Sequence, residues 1–311
     1  MLPIKLKLPD SFFEEEVRCG YTVSAETKKL WAVELDLLNE FEKVCKAHNI
    51  TYYANAGTLL GAVRHKGFIP WDDDIDIMMP RKDYEKLCKY YKDFSAPYFF
   101  QTEYTDPGSL RGHAQLRNSK TTGILNSELK AGFTFNQGIF IDIFPMDNLP
   151  DNNIEKRKFI KKILKMQRLT KLFRNIPAKK NYGHNRIKKA IKIIIAPFLR
   201  IINNTFKVDH KLYIKYERLM QKYNRIKTNE VALMNFLYVS GRNEWNRSFF
   251  ENKPIIMDFE MLKIPVPSGY DRVLNKTYGE WHKYQIGTTQ HGGMFVDTDN
   301  SYKKYIIKKN K

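Results

Sequence analysis

The stretch Trp71-Asp72-Asp73-Asp74-Ile75-Asp76-Ile77-Met78-Met79-Pro80 decides how this chain is read. From Ile75 to Met79 it carries apolar β-formers and closes at a proline, which predicts a strand. Side chains alternate faces along a strand, so Asp74 and Asp76 are expected on one side while Ile75 and Ile77 enter the core. Two carboxylates about 7 Å apart along one edge repel each other unless positive charge sits between them. A divalent ion supplies it, and oxygen-only ligands with no Cys or His pair nearby favour Mg2+ or Mn2+ over zinc. Three plainer readings stand beside this one. The acids form an exposed turn, or they are neutralised by a basic segment elsewhere, or they open an EF-type calcium loop at Asp72. The calcium loop would put Ile77 where glycine is required, and Pro80 interrupts it.

Upstream, Ile50-Thr51-Tyr52-Tyr53-Ala54 is rich in β-formers and breaks at Asn55-Ala56-Gly57, a strand entering a turn. Thr58 is expected to cap a short helix through Val63, and Gly67 with Pro70 marks a loop. A Gly-Thr turn that opens a helix lets a phosphate approach the backbone and the positive dipole end. Such a turn is more often only a turn; its weight here comes from Arg64-His65-Lys66, a basic cluster between it and the acids. Downstream, Gly138 to Pro145 reads as a further strand with Asp142 inside the apolar run Phe140-Ile141-Asp142-Ile143-Phe144. An unpaired charge there is costly, so Asp142 needs a metal or a hydrogen-bonded partner. Together these parts describe a site for a nucleoside diphosphate compound. Its phosphates would rest on Gly57 and Thr58, with Mg2+ between them and Asp74, Asp76 and Asp142, and Asp142 would accept the proton of an incoming hydroxyl.

The remainder supplies a frame. Leu30, Trp31, Leu37, Leu38, Phe41, Val44 and Cys45 recur at helical spacing between Ala25 and Asn49, and Tyr84, Leu87, Cys88 and Tyr91 mark another helix. Beyond Pro150 the pattern turns helical and basic to about Lys222; the last third is mixed, with a helix from Asp271 to Tyr278. The expected class is α/β (α+β): a catalytic core with an N-terminal helix over 1–150, a basic helical insertion over 151–245, and a C-terminal part over 246–311 that completes the core.

Across 311 residues, 53 Lys and Arg oppose 34 Asp and Glu, a net charge of +19, with 42% hydrophobic residues. That excludes disordered and collagen-like chains. Residues 151–222 hold 21 Lys or Arg against four acids, a balance of +17, so nearly all the excess has one address. A solvated helical face is the plain explanation. Basic residues flanking the apolar run between Ile187 and Ile202 also suit an anionic membrane surface. Nucleic acid ranks lower, because no nucleic-acid-binding motif accompanies the patch. Three cysteines, odd in number and far apart, suit a reducing compartment. With no signal-peptide pattern and no run of about 20 apolar residues, the expectation is a cytoplasmic chain, at most peripheral at the inner face of the plasma membrane.

The run from Tyr53 to Ile77 resembles the signature of the LicD family, phosphocholine transferases of bacterial cell-surface polysaccharides and relatives of the fukutin-type phosphotransferases. Ile139 to Pro145, Val266-Pro267, Tyr270-Asp271, Leu274, Tyr278-Gly279 and Trp281 add to the likeness, which spans most of residues 25–291. The resemblance implies a nucleotidyltransferase fold related to polymerase β. It implies a CDP-activated donor, typically CDP-choline, and a glycan hydroxyl as acceptor, on lipopolysaccharide, teichoic acid or capsule. By the same resemblance Asp74 and Asp76 are the metal pair, Asp72 a further ligand, Asp142 the later carboxylate, Gly57 and Thr58 the phosphate turn, and His291 a recurrent terminal histidine. Arg64, His65, Lys66 and Trp71 complete the expected substrate contacts; Tyr52, Tyr53 and Trp71 are aromatic candidates for a choline cation, or equally for the core. A nucleotidyltransferase acting on nucleic acid and an inactive membrane-surface scaffold remain as alternative readings.

Overall fold

The computed structural model describes residues 2–129, 133–174, 197–199, 201–236, 242–287 and 293–306. Helix α1 (Ala25–Ala47) starts where Ser24 Oγ accepts from the Thr27 N–H at 3.2 Å, a side-chain cap for a free helix-end donor. Its apolar stripe, Leu30, Trp31, Leu37, Leu38 and Phe41, is buried in the main core, as the spacing requires. Two short strands, β1 (Glu16–Arg18) and β2 (Tyr21–Val23), precede it as a hairpin.

The main sheet is mixed. Strand β3 (Tyr53–Ala54) pairs antiparallel with β4 (Asp76–Pro80), and β4 runs parallel to the long strand β8 (Ile139–Leu149). The first half of β8 also pairs antiparallel with β6 (Ala114–Asn118), which carries β5 (Tyr98–Gln101) at its outer edge. The last three residues of β8 pair with β9 (Glu230–Ala232), and β9 with β10 (Glu244–Asn246). Strand β9 and the first two residues of β10, all within 151–245, therefore belong to the main sheet, and the expected boundary at 245 falls inside β10. Between β6 and β8, β7 (Thr122–Leu125) pairs with β13 (Met294–Asp297), and β11 (Ile255–Phe259) forms a hairpin with β12 (Leu262–Val266).

Helix α2 (Ala56–His65) joins β3 to the acidic stretch, and α3 (Arg81–Lys89) follows β4 directly. Arg81 grips Asp147 of β8 with two bonds, Nε to Oδ1 at 2.7 Å and Nη2 to Oδ2 at 2.6 Å, and both side chains are buried. After a short α4 (Asn126–Leu129), α5 (Asn153–Arg174) and α6 (Val208–Met220) pack on the β9 end of the sheet. There Phe159, Ile163, Tyr216 and Met220 form a second, smaller core with Leu149 and Ala232. Helix α7 (Tyr270–Tyr278) packs against α2, and α8 (Lys303–Ile306) lies near the C-terminal end. Among the described residues, no helix is long and apolar enough to cross a membrane. The apolar run from Ile187 to Ile202 lies mostly outside the described residues.

Candidate active site

Three local facts bring the acids together. The α2 N-terminus follows β3, so Ala56 and Gly57 stand at the sheet edge beside the start of β4. Thr58 Oγ1 accepts from the Asp76 N–H at 2.8 Å, and the Asn55 N–H donates to the Asp76 carbonyl at 2.9 Å, tying turn and strand together. On the other edge of β4 the Asp142 N–H donates to the Ile75 carbonyl at 2.9 Å, and Asp76 and Asp142 are register partners. Parallel pairing in register puts these two side chains on the same face of adjacent strands.

The result is one cleft of about 770 Å3, lined by Gly57, Arg64, Trp71, Asp72, Asp74, Asp76 and Asp142. Its other wall comes from the C-terminal part, through Tyr278, Trp281 and the segment from Lys283 to Gly287. Ile75 and Ile77 are buried, as alternation requires. Strand β4 begins only at Asp76, however, so Asp74 reaches the cleft from the preceding extended loop and not from the strand itself.

Charge accumulates in this cleft. Burial, then repulsion from Asp74, Asp142 and Asp72, pushes the Asp76 carboxyl well above the usual carboxylate range. Asp72, Asp73 and Asp74 have carboxylate oxygens within 4.8 Å of one another. Beneath them Glu34 of α1 is 1% exposed, and neither of its oxygens has a hydrogen-bond partner among the described residues. Burial and the charges of Asp74, Asp73, Asp72 and Asp76 hold its carboxyl far up. The orphaned oxygens of Glu34 beside a wholly carboxylate cluster fit a hard divalent cation such as Mg2+ or Mn2+.

Two neighbours that the sequence did not reveal fix Asp142. Gln115 Nε2 donates to its Oδ1 at 2.6 Å, and His113 Nε2 lies 3.1 Å from the same oxygen. Asn235 Nδ2 lies 3.0 Å from His113 Nδ1, so with Asn235 donating there, the His113 proton sits on Nε2 and points at Asp142. Gln115 is the antiparallel register partner of Asp142. None of these contacts has a local sequence pattern. Asp73 was in plain view but was not singled out, and Glu34 looks like any charge on a helix.

Gly57 is needed for its lack of a side chain: a Cβ there would fall 2.3 Å from Asp72 Oδ2. Its neighbour Ala56 has a φ of 43°, a strained conformation for a residue with a side chain, at the lip of the cleft. Trp71 is anchored from two sides, edge-on to Tyr21 at 5.8 Å and against the Gly287 backbone. Arg64 lines the cleft, but its Nη1 donates to the Trp281 carbonyl at 2.9 Å and its Nε to His65 Nε2 at 3.0 Å. It therefore holds the C-terminal wall.

Several expectations are corrected. Helix α2 starts at Ala56 with Asn55 in the cap position, because the Thr58 hydroxyl is committed to Asp76. Thr58 is buried and does not line the cleft. His65 and Lys66 face an adjoining hollow with Arg18, Cys19 and Tyr284, where burial and then Arg64 and Arg18 press the His65 pKa down to about 4. Tyr52 and Tyr53 are core residues, away from the acids; of the three aromatic candidates Trp71 lines the cleft. His291 lies outside the described residues.

Comparison with known proteins gives a consistent result. Residues 49–171 match the family model described as LicD/FKTN/FKRP, nucleotidyltransferase domain, a span that contains Gly57, the acidic loop and Asp142. The chain is 28% identical over 257 residues to the lipopolysaccharide cholinephosphotransferase LicD of Haemophilus influenzae, covering 80% of this chain and 88% of that protein. A 47-residue stretch is 47% identical to an uncharacterized protein of Rickettsia prowazekii, covering 15% of this chain and 18% of that one. A Rickettsia typhi protein matches to the same degree over 47 residues, 15% of each chain.

Proposed function

We propose that this chain, in which residues 49–171 carry a LicD-family domain, is a phosphocholine transferase. It moves phosphocholine, or a closely similar substituted phosphate, from CDP-choline or a related CDP-alcohol to a hydroxyl of a cell-surface glycan and releases CMP. Lipopolysaccharide is the favoured acceptor, since the Haemophilus influenzae relative is a lipopolysaccharide cholinephosphotransferase; teichoic acid and capsule have the same hydroxyl chemistry. The observation that carries the reading is the convergence of Gly57, Asp72, Asp74, Asp76 and Asp142 on one cleft. The reading brings with it a nucleotidyltransferase fold related to polymerase β. It also divides the chain into a catalytic core, 1–150 with 246–311, and an insertion, 151–245.

The cofactor in this reading is Mg2+, with Mn2+ able to replace it, held by Asp74, Asp76, Asp142 and Asp72. When bound, it offsets the charge of the diphosphate and of the departing CMP. The chain does the rest. Gly57 leaves room for the Asp72 carboxylate against the turn, the positive end of α2 favours phosphate oxygens, and Arg64 keeps the wall of Trp281 and Lys283 in position. Asp142, oriented by Gln115 and His113, takes the proton of the attacking hydroxyl as the new P–O bond forms and the bond to the CMP oxygen breaks. Where the acceptor is lipid-linked, the enzyme works at the inner face of the plasma membrane.

The test is to incubate purified chain with CDP-choline, CDP-ethanolamine and CDP-glycerol, with Mg2+ or with chelator, and to measure CMP. The reading expects Mg2+-dependent CMP release, greatest with CDP-choline and increased by the glycan acceptor. No CMP from any donor would reject it.

A further inference from the structure

Helix α5 presents a face that the cleft does not use. At 100° per residue, Arg157, Lys158, Lys161, Lys162, Lys165 and Arg168 fall within an arc of about 140°, and all six are exposed. The opposite side carries Phe159 and Ile163, which are buried in the smaller core. Among the described residues none of the six cations is ion-paired; the ion pairs of this helix run from Lys156, off this face, to Glu230 and Glu244, and from Glu155, just past its edge, to Lys222. Ile154, 67% exposed, and Leu172, 48% exposed, stand at mid-arc near the two ends of the same face. Further along the insertion Phe198, Ile201 and Phe206 are 65%, 66% and 58% exposed.

A merely solvated face accounts for the charge, but not for large apolar side chains at both ends of a row of cations that repel one another along about 16 Å of helix. A nucleic-acid footprint would account for the cations and again leave the apolar residues idle. A surface with anions outside and hydrocarbon just beneath uses both. We propose that this face of α5 rests on an anionic lipid bilayer, its lysines and arginines among the headgroups and Ile154 and Leu172 at the acyl boundary. The contact lies along the helix and needs no membrane-spanning segment. It is independent of the donor chemistry in the cleft.

The experiment is co-sedimentation of the full chain with vesicles of phosphatidylcholine alone or with about 30% phosphatidylglycerol, at about 50 and about 500 mM NaCl. Binding is expected to the anionic vesicles only, and to be largely lost at high salt. Each reversed charge should weaken partitioning about fivefold or more, so K161E/K162E/K165E should bind about 100-fold less tightly. I154S/L172S should lose the fraction that survives high salt. All five positions are exposed, so thermal unfolding should match wild type, and the milder K158Q/K165Q serves if the triple variant does not fold. Equal binding to neutral vesicles, no binding to anionic ones, or an unweakened folded charge variant would overturn the proposal. So would an RNA or DNA oligonucleotide that strips the protein from anionic vesicles at equal lipid phosphate and nucleotide phosphate.

Discussion

Asp76 and Asp142 stand opposite each other as register partners across the parallel pair β4–β8, though 66 residues separate them in the chain. Two carboxylates on one face of adjacent strands, with Asp74 and Asp72 also acting on Asp76, make a site that is unfavourable unless a proton or a cation occupies it. Everything proposed about catalysis follows from that imbalance.

The partners of Asp142 can be tested apart from the acids. Gln115→Leu removes the donor at 2.6 Å and leaves the contact from His113; it also takes the Oε1 acceptor from buried Arg117 Nη2, so the folded fraction is measured alongside. A loss of 10- to 100-fold in Mn2+ affinity or in turnover is expected, the usual range for groups that orient a ligating carboxylate. Mn2+ titration followed by electron paramagnetic resonance measures the first, and CMP release the second. Unchanged affinity and turnover would mean that Asp142 needs no orientation.

Glu34 gives a pH signature. Its folded-state pKa lies above the ordinary 4.5, so the folded protein keeps a proton that the unfolded chain has lost, and the contribution of Glu34 to stability falls as pH rises from about 4.5 toward the folded value, against the opposite slope that His65, pressed down to about 4, adds up to its ordinary 6.5. Glu34→Gln should flatten this decline and raise the melting temperature above that of wild type at pH 8 without added metal. Mg2+ should stabilise wild type increasingly as pH rises. Melting curves across pH 5 to 8 for both proteins check the sign.

Gly57→Ala should be close to inactive yet folded. The new methyl would overlap Asp72 Oδ2, and the side chain of Asp72 can swing away at modest cost to the fold while leaving its place at the cleft. Turnover is expected to fall more than tenfold, with a stability loss of about 1 kcal/mol. Gly61→Ala is the contrast: its Cβ would meet the Gly67 carbonyl, backbone that cannot swing, so it should act mainly on stability.

Breaking the buried Arg81–Asp147 pair should cost about 3 to 5 kcal/mol, because the partner is left charged and unpaired beneath the sheet. Asp147→Asn, measured by chemical denaturation, tests this. The pair lies outside the acidic cleft, so Mn2+ affinity of the folded fraction should be unaffected.

Much of this was legible in the sequence because it is periodic or adjacent. Helix α1 and the core of β8 follow from hydrophobic spacing, and the acidic loop from alternation of Asp with Ile. The convergence of Asp142 with Asp76 rests on a parallel register that no local pattern encodes, and buried acid in an apolar strand was the one hint. Glu34, His113, Gln115 and Asn235 were missed for the same reason, since each acts through a neighbour distant in sequence. Thr58 was misread because a hydroxyl at the start of a helix looks like a cap, whereas a strand amide competed for it and won.

The most direct test compares wild type with Asp76→Asn for CMP release from CDP-choline in saturating Mg2+, with circular dichroism confirming that both are folded. The account expects release by wild type and a loss of at least about 1,000-fold in the variant, the scale of about 4 kcal/mol of transition-state stabilisation. Turnover by the folded variant within a few fold of wild type would contradict it, since the acidic cleft would then not be where the transfer takes place.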